Sequence, residues 1–211
     1  FYDCPDQKIQ LIGVTGTNGK TTTAALLASV LQSSGHRTGL IGTLGVFYGS
    51  TEVESPRTTP ESSDLAQHFT DMRDQGYSHV VMEATSIGID LERVRGIPFR
   101  IAIFTNLTRD HLDYHVTEEA YRDAKLRLFR ELPQESTAVI NADDASASRF
   151  AEAARGSVLT YSLEREADFR AEKVELSRHS ISFDVHHPGG KTHVETPLIG
   201  RFNAYNLLAV V

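Results

Sequence analysis

The sequence predicts an α/β fold: a mostly parallel sheet with helices on both faces, plus a small antiparallel β meander. Three observations lead there. Short apolar runs alternate with helical patterns over the first two-thirds of the chain, as in a parallel sheet covered on both faces. A glycine-rich stretch joins the first strand to the first helix. After Ser162 the pattern changes to two-residue alternation broken by Pro188-Gly189-Gly190, which reads as antiparallel strands and a turn.

The elements follow in order. Ile9 to Val14 is a strand, and Lys20 to Ser33 has helical spacing, with Gly35 at the expected C-cap position. Thr38 to Ile41 is a short strand, and Val46 to Glu54 an irregular hairpin around Gly49. Thr59-Pro60-Glu61 reads as a helix start, with Thr as N-cap, Pro in the first helical position and Glu in the first turn. That helix is expected to end at Gly76. Ser78 to Met82 and Arg100 to Phe104 are buried strands. Thr117-Glu118-Glu119 opens a helix that reaches about Leu132 and stops at Pro133. Thr137 to Ile140 is a strand, Ala145 to Ala154 a helix, and Val158 to Tyr161 a strand. The meander comprises Phe169 to Leu176, Ser180 to His186 and Thr192 to Thr196. A last helix begins near Asn203, and Leu207 to Val211 reads as its middle.

The 211 residues suffice for one good-sized domain, with an α/β core over about 8–162 and the meander over about 168–199. The net charge of −7, without a Lys/Arg block, argues against nucleic acid and a membrane surface as partners. It leaves room for a small phosphate ligand, which needs only a local pocket. No apolar run approaches the roughly 20 residues of a membrane-spanning helix. Phe1 to Gln10 carries Asp3, Asp6 and Lys8 and has no signal-peptide pattern. Cys4 is the sole cysteine, so neither an intrachain disulfide nor a cysteine zinc site can form. A reducing, cytoplasmic location is expected. The chain lacks an initiator Met and stops in a helical pattern, so a piece of a longer protein is expected.

Gly16-Thr17-Asn18-Gly19-Lys20-Thr21-Thr22 follows the first strand and opens the first helix. Glycines let backbone N–H groups turn around phosphate oxygens, and the helix adds its positive end. Lys20 is expected to reach the β- and γ-phosphates, and the Thr21 hydroxyl to ligate Mg²⁺. The sheet is therefore expected to be of the P-loop, Rossmann-like kind, although Val14 stands where the general loop pattern has its first glycine. Glu83 ends the run Val80-Val81-Met82, which places a carboxylate at the strand edge where α/β sheets bind ligands. It is a candidate Mg²⁺ ligand, or else a solvated loop acid. Asp110, His111, Asp113 and His115 lie in a polar stretch after the next strand. They are candidate acid/base groups or metal ligands, or else ordinary loop residues. Lys125 sits in a helix one turn after Tyr121 and reads as a surface lysine; composition alone gives it no other role.

Together these segments resemble the central domain of the Mur ligases, the ATP-dependent amide-forming enzymes of peptidoglycan precursor synthesis. The resemblance rests on Gly16 to Thr22, Glu83-Ala84-Thr85-Ser86, Asn106 to His115, Ala120-Tyr121 with Ala124-Lys125 and Leu128-Phe129, and Gly200 to Asn206. Thr58-Thr59-Pro60 and Phe104 to His115 make it most similar to the MurE type. The resemblance implies a three-domain parent whose uridine-nucleotide-binding and C-terminal domains flank this ATPase core. It implies ATP on Gly16 to Thr22, with Asn206 near the adenine, and Mg²⁺ held by Thr21, Glu83, His111 and a carbamylated Lys125. It implies muramoyl-dipeptide contacts from Thr58, Thr59, Thr85 and Arg93. Lys20, His111 and Lys125 would be the catalytic residues. The small-molecule partners would be ATP, a UDP-N-acetylmuramoyl dipeptide and an amino acid, either diaminopimelate or lysine. Arg57, Leu91, Ile87 and Val116 depart from the family's frequent Asn, Gln, His and Gly.

Two rival readings stand beside it. A GTPase or small-molecule kinase would share the loop, but a GTPase would usually carry an Asn-Lys-x-Asp guanine reader, and the sequence has none. A nucleotide-binding module without ligase activity is the other.

Overall fold

The computed structural model describes residues 9–211, so Cys4 and nearly all of the charged start read for signal character lie outside the described residues. In chain order the elements are β1 (Gln10–Thr15), α1 (Lys20–Ser33), β2 (Thr38–Gly42), β3 (Gly45–Tyr48), β4 (Thr51–Val53), α2 (Ser62–Asp74), β5 (His79–Glu83) and α3 (Ser86–Asp90). Then come β6 (Ile101–Phe104), α4 (Leu112–His115), α5 (Glu118–Arg130), β7 (Thr137–Asn141), α6 (Ala147–Ala153), β8 (Ser157–Ser162), β9 (Phe169–Leu176), β10 (Ile181–His187), β11 (Gly190–Thr196) and α7 (Arg201–Leu208). Among the described residues, no helix is long and apolar enough to cross a membrane.

The strands form a single sheet in the order β11-β10-β9-β8-β7-β6-β1-β5-β2-β3-β4. From β2 through β9 every neighbouring pair is parallel. β3 and β4 fold back antiparallel at one edge, and β10 and β11 at the other. The meander thus continues the main sheet, through the parallel pairs Tyr161–Phe169 and Ser162–Arg170.

Alternation along β1 divides the core in two. Leu11 joins Leu65, Met72, Phe104, Phe129 and Phe150 under α2, α5 and α6. Ile12 and Val14 join Ala24, Ala28, Val81, Ala204 and Leu208 under α1 and α7. Phe150 stacks on Phe104 with ring centroids 3.8 Å apart and meets Phe129 edge-on at 5.1 Å, a geometry that adds to simple burial.

Several boundaries differ from the sequence reading. α2 begins at Ser62, with Glu61 as its N-cap, rather than at Thr59. The Thr59 hydroxyl is engaged elsewhere: it donates to the Glu83 carbonyl at 2.9 Å and accepts from the Thr85 N–H at 3.0 Å. α3 and α4 fall in stretches to which the sequence reading assigned no helix; helices this short show no periodicity. α7 closes at Leu208 instead of running through Val211, because the Val210 and Val211 N–H groups both turn back to the Leu207 carbonyl. Thr117 does cap α5, accepting from the Ala120 N–H at 3.1 Å, with Glu118 and Glu119 in the first turn.

Candidate functional site

The parallel strands deliver their carboxyl ends to one edge. The loop Gly16 to Gly19 rises there between β1 and α1. Gly19 has φ +85°, and a Cβ on it would lie 2.4 Å from Asn206 Oδ1, so the position requires glycine. The loop is braced from the β6 side. Thr105 Oγ1 and Asn106 Nδ2 both donate to the Asn18 carbonyl, at 2.7 and 3.0 Å. Asn106 Oδ1 accepts from the Asn18 N–H at 2.9 Å. The Thr108 N–H donates to Thr17 Oγ1 at 2.9 Å, and the Tyr121 hydroxyl lies 3.0 Å from the same oxygen. Lys20 folds over the loop and donates to the Gly16 and Thr17 carbonyls at 3.0 and 2.8 Å. Burial holds its pKa below the usual lysine value, and the carboxylates of Glu83 and Asp110 oppose that shift.

Glu83 is buried at the end of β5. Its carboxylate accepts from the Thr43 N–H at 2.8 Å, Thr21 Oγ1 at 3.0 Å and Thr43 Oγ1 at 3.2 Å. Gly42 makes room for it: a Cβ there would stand 2.3 Å from Glu83 Oε1. Thr58 Oγ1 lies 3.1 Å from Thr43 Oγ1, and Thr59 Oγ1 lies 3.0 Å from Thr85 Oγ1. Arg93 donates to the Thr59 carbonyl at 3.1 Å and pairs with Glu61 at 3.0 Å. These threonines, Glu83, Arg93 and His111 line a cavity of about 470 Å³, together with the loop and with Arg57 and Ile87.

The polar stretch after β6 divides by direction. Asn106 and Thr108 support the loop, and His111, at φ +50°, reaches the cavity wall. Asp110 and Asp113 are exposed. His115 is buried against Tyr114 and Tyr121, at ring separations of 4.7 and 5.3 Å, and does not line the cavity. Lys125 is 1% exposed. Its Nζ donates to the Gly16 carbonyl at 2.9 Å and lies 4.5 Å over the Tyr121 ring. It therefore meets the loop from behind rather than lining the cavity. Burial, reinforced by the Lys20 ammonium, drives its pKa well below the usual lysine value, against a weaker pull from Asp110.

A second cavity of about 540 Å³ opens on the other side of the loop, lined by Thr22, Asn106, Asn141, Phe202, Tyr205 and Asn206. Asn18 and Gly19 line both cavities. Asn206 is fixed by its donation to Asn203 Oδ1 at 3.0 Å and by the Thr23 hydroxyl at 3.3 Å.

Among the described residues, no group of three His, Cys, Asp or Glu converges as a metal site. The donors that do converge are the Glu83 carboxylate and the Thr21 hydroxyl. Hard oxygens in small number suit Mg²⁺, which keeps several waters, so this donor set fits the ion. Sequence reasoning missed Thr43, whose signal is the one that found Glu83: a polar residue just past a parallel strand. It also assigned no role to Thr105, Asn106, Thr108 or Tyr121, whose partners lie 87 or more residues away in sequence.

Comparison of the sequence with known proteins identifies one family. The Mur ligase middle domain profile covers residues 14–211. UDP-N-acetylmuramoyl-L-alanyl-D-glutamate–2,6-diaminopimelate ligase 1 of Clostridium acetobutylicum is 43% identical over 211 residues, spanning 100% of this chain and 43% of that protein. A solved structure of a UDP-N-acetylmuramoyl-L-alanyl-D-glutamate–2,6-diaminopimelate ligase superposes with a TM-score of 0.88 at 37% identity, over 96% of this chain and 42% of that one. Folylpolyglutamate synthase of Mycobacterium tuberculosis shares the fold at a TM-score of 0.79 and 18% identity, over 99% of this chain and 55% of that one. The chain spans less than half the length of the diaminopimelate ligases it matches. The profile match takes in the loop, Glu83, Lys125 and α7 together, and the chain belongs to the Mur ligase family as its middle domain.

Proposed function

We propose that this chain is the ATP-binding catalytic core of a cytoplasmic ligase that joins an amino acid to UDP-N-acetylmuramoyl-L-alanyl-D-glutamate in peptidoglycan precursor synthesis. The observation that carries the reading is the pair of cavities meeting at Asn18 and Gly19. One is polar and holds Lys20, Thr21 and Glu83; the other is walled by Phe202, Tyr205 and Asn206. A nucleoside triphosphate spans such a pair, with its base beside Asn206 and its γ-phosphate beside Lys20. The names of the relatives favour diaminopimelate over lysine as the added amino acid.

In this reading the substrate's D-glutamyl carboxylate, held near Thr58, Thr59, Thr85 and Arg93, attacks the γ-phosphate of ATP, displaces ADP and forms an acyl phosphate. The amine of the amino acid then attacks that carbonyl, and phosphate leaves. The chain contributes alignment and charge. Lys20 leaves its loop carbonyls for the phosphates. Thr21 and Glu83 would hold Mg²⁺, with His111 on the same cavity wall; the family resemblance adds a carbamylated Lys125, whose unmodified side chain turns to the Gly16 carbonyl behind the loop. Bound Mg²⁺ offsets charge on the transferring phosphoryl group. A buried lysine with a depressed pKa is an amine able to take up CO₂, which supports carbamylation of Lys125. Flanking domains of a longer parent supply the uridine-nucleotide grip and the amino-acid selectivity, so the isolated chain is expected to bind ATP without turnover.

The test is phosphate release by the intact enzyme with ATP, Mg²⁺ and the muramoyl dipeptide, plus diaminopimelate, lysine or neither. Release that needs the dipeptide and diaminopimelate is expected. Release indifferent to the muramoyl nucleotide would move the chain to another NTPase class.

A further inference from the structure

The cavity beside Asn206 has one wall made by α7, a helix of eight residues with no side-chain cap at its start. Ala204 and Leu208 seat it on the core, and the Thr23 hydroxyl donates to Asn206 Oδ1 at 3.3 Å. A further polar tie runs from Tyr205 to Asp143, just past the end of β7. The Asp143 side chain is 7% exposed. Its Oδ1 accepts from Ser162 Oγ at 2.6 Å, and its Oδ2 accepts from the Leu163 N–H at 2.8 Å and from the Tyr205 hydroxyl at 3.0 Å. Arg165 stands 3.9 Å from Oδ1. One carboxylate therefore joins the β7 end, the turn after β8 and α7.

Tyr205 is the neighbour of Asn206 in sequence and itself lines the cavity. The Asp143–Tyr205 bond thus fixes the angle at which α7 offers Asn206 to Gly19 and Thr23. The bond is charge-assisted and partly shielded from water, circumstances that strengthen a hydrogen bond. The Ser162 hydroxyl in turn accepts from the Glu164 and Arg165 N–H groups at 2.9 and 2.6 Å, so the turn that backs Asp143 is itself pinned. Arg201 at the start of α7 pairs with Glu164 of that turn at 3.0 Å, but both side chains are half exposed, and such a pair is a weak tie.

We infer that Asp143 is a positioning residue for nucleotide recognition, acting through Tyr205 to set the helix that carries Asn206. The inference rests on the ATP-site reading above and deepens it. Neither Asp143 nor the Tyr205 hydroxyl is placed at the reacting phosphate, so the effect belongs to nucleotide affinity and not to the chemical step.

The test compares wild type, Tyr205→Phe, Asp143→Asn and the double variant of the intact enzyme. It measures ADP binding by calorimetry, KM for ATP, kcat and the melting temperature. Tyr205→Phe removes a single oxygen and keeps the ring in the wall, so it guards against a fold failure of Asp143→Asn. Tyr205→Phe is expected to weaken ADP binding and raise KM for ATP roughly tenfold, with kcat within about twofold, as for a lost hydrogen bond to a charged group. The double variant is expected to bind ADP as Asp143→Asn does alone, because both substitutions remove the charge-assisted Asp143–Tyr205 bond. Unchanged ADP affinity in Tyr205→Phe, with or without a lower melting temperature, would overturn the inference and leave Asp143 a structural tie. Effects of the two substitutions that multiply would overturn it as well. A wild-type enzyme that binds no ADP would refute the ATP-site reading itself, which keeps the two failures apart.

Discussion

Val116 is the residue whose replacement has the clearest expected outcome. It stands at φ +67° and ψ −44° at the end of α4. The Thr117 N–H donates across it to the His115 carbonyl at 2.7 Å. That is a three-residue γ-turn with positive φ, the rare and strained hand, and a β-branched residue is poorly suited to it. The side chain is 78% exposed, so it returns little burial energy. Strain of this kind costs about 1–3 kcal/mol. Glycine would relieve it, at an opposing cost of about 0.5–1 kcal/mol in unfolded-chain freedom. Val116→Gly is therefore expected to stabilise the chain by up to about 2.5 kcal/mol, with about 1 kcal/mol at mid-range, or up to about 10 °C in melting temperature for a chain of this size. Urea unfolding with an unchanged m-value reads the first quantity and calorimetry the second. Val116→Ala is the control: it keeps the Cβ and so should recover less than half of the gain. A glycine variant with an equal or lower midpoint would refute the argument. An alanine variant equal to glycine would shift the strain from the backbone angle to the branch.

Other outcomes follow from the same geometry. Lys20→Ala in the intact enzyme is expected to lower kcat by about 10²–10³, the cost of removing a preorganised charge from a transition state; near-normal turnover would discard the loop assignment. Thr43→Val removes the Oγ1 donor to Glu83 and keeps the N–H, so a Mg²⁺ titration of activity should shift to higher concentration by roughly tenfold, whereas an unshifted titration would leave Thr43 a bystander. Phe150→Ala opens a hole between Phe104 and Phe129 and should cost about 3–5 kcal/mol in urea unfolding; a loss well below that range would mean that the rings repack. Lys125, unmodified, has a folded-state pKa below its unfolded value, so the unfolded chain binds more protons between those two values and stability falls as pH drops through that window. Lys125→Met should remove that fall and raise stability at neutral pH; an unchanged pH–stability slope above neutrality would contradict the depressed pKa.

Strand order along the chain was legible because each buried parallel strand is a short apolar run closed by a polar residue. That closing residue also located Glu83 and, by the same logic, marks Thr43. Direction was not legible. Asn106, Thr108, Asp110, His111, Asp113 and His115 are equally polar in sequence, yet only His111 reaches the cavity that holds Lys20 and Glu83. What separates them is the pair of positive-φ residues, His111 and Val116, that bracket one helical turn. A turn that short leaves no periodic trace. The misplaced start of α2 has a similar cause. Thr59 has every local property of an N-cap, but Glu83 and Thr85, more than twenty residues away, compete for its hydroxyl with better geometry.

Lys125 shows how far the local pattern reaches. Tyr121, Lys125 and Phe129 recur every fourth residue along α5, and all three are buried. On an amphipathic helix that spacing is one face, so a lysine between two aromatics on the apolar stripe was a readable anomaly. Burial follows from the stripe alone, and a depressed pKa follows from burial. The partner does not follow. The Gly16 carbonyl that receives Nζ lies 109 residues earlier, and β1 and β6 bring it to α5 only because they are neighbours in the sheet. A helix face can thus mark a residue as chemically unusual, while sheet topology determines which group it meets. In this chain the topology brings that lysine to the back of the loop that Lys20 covers from the front.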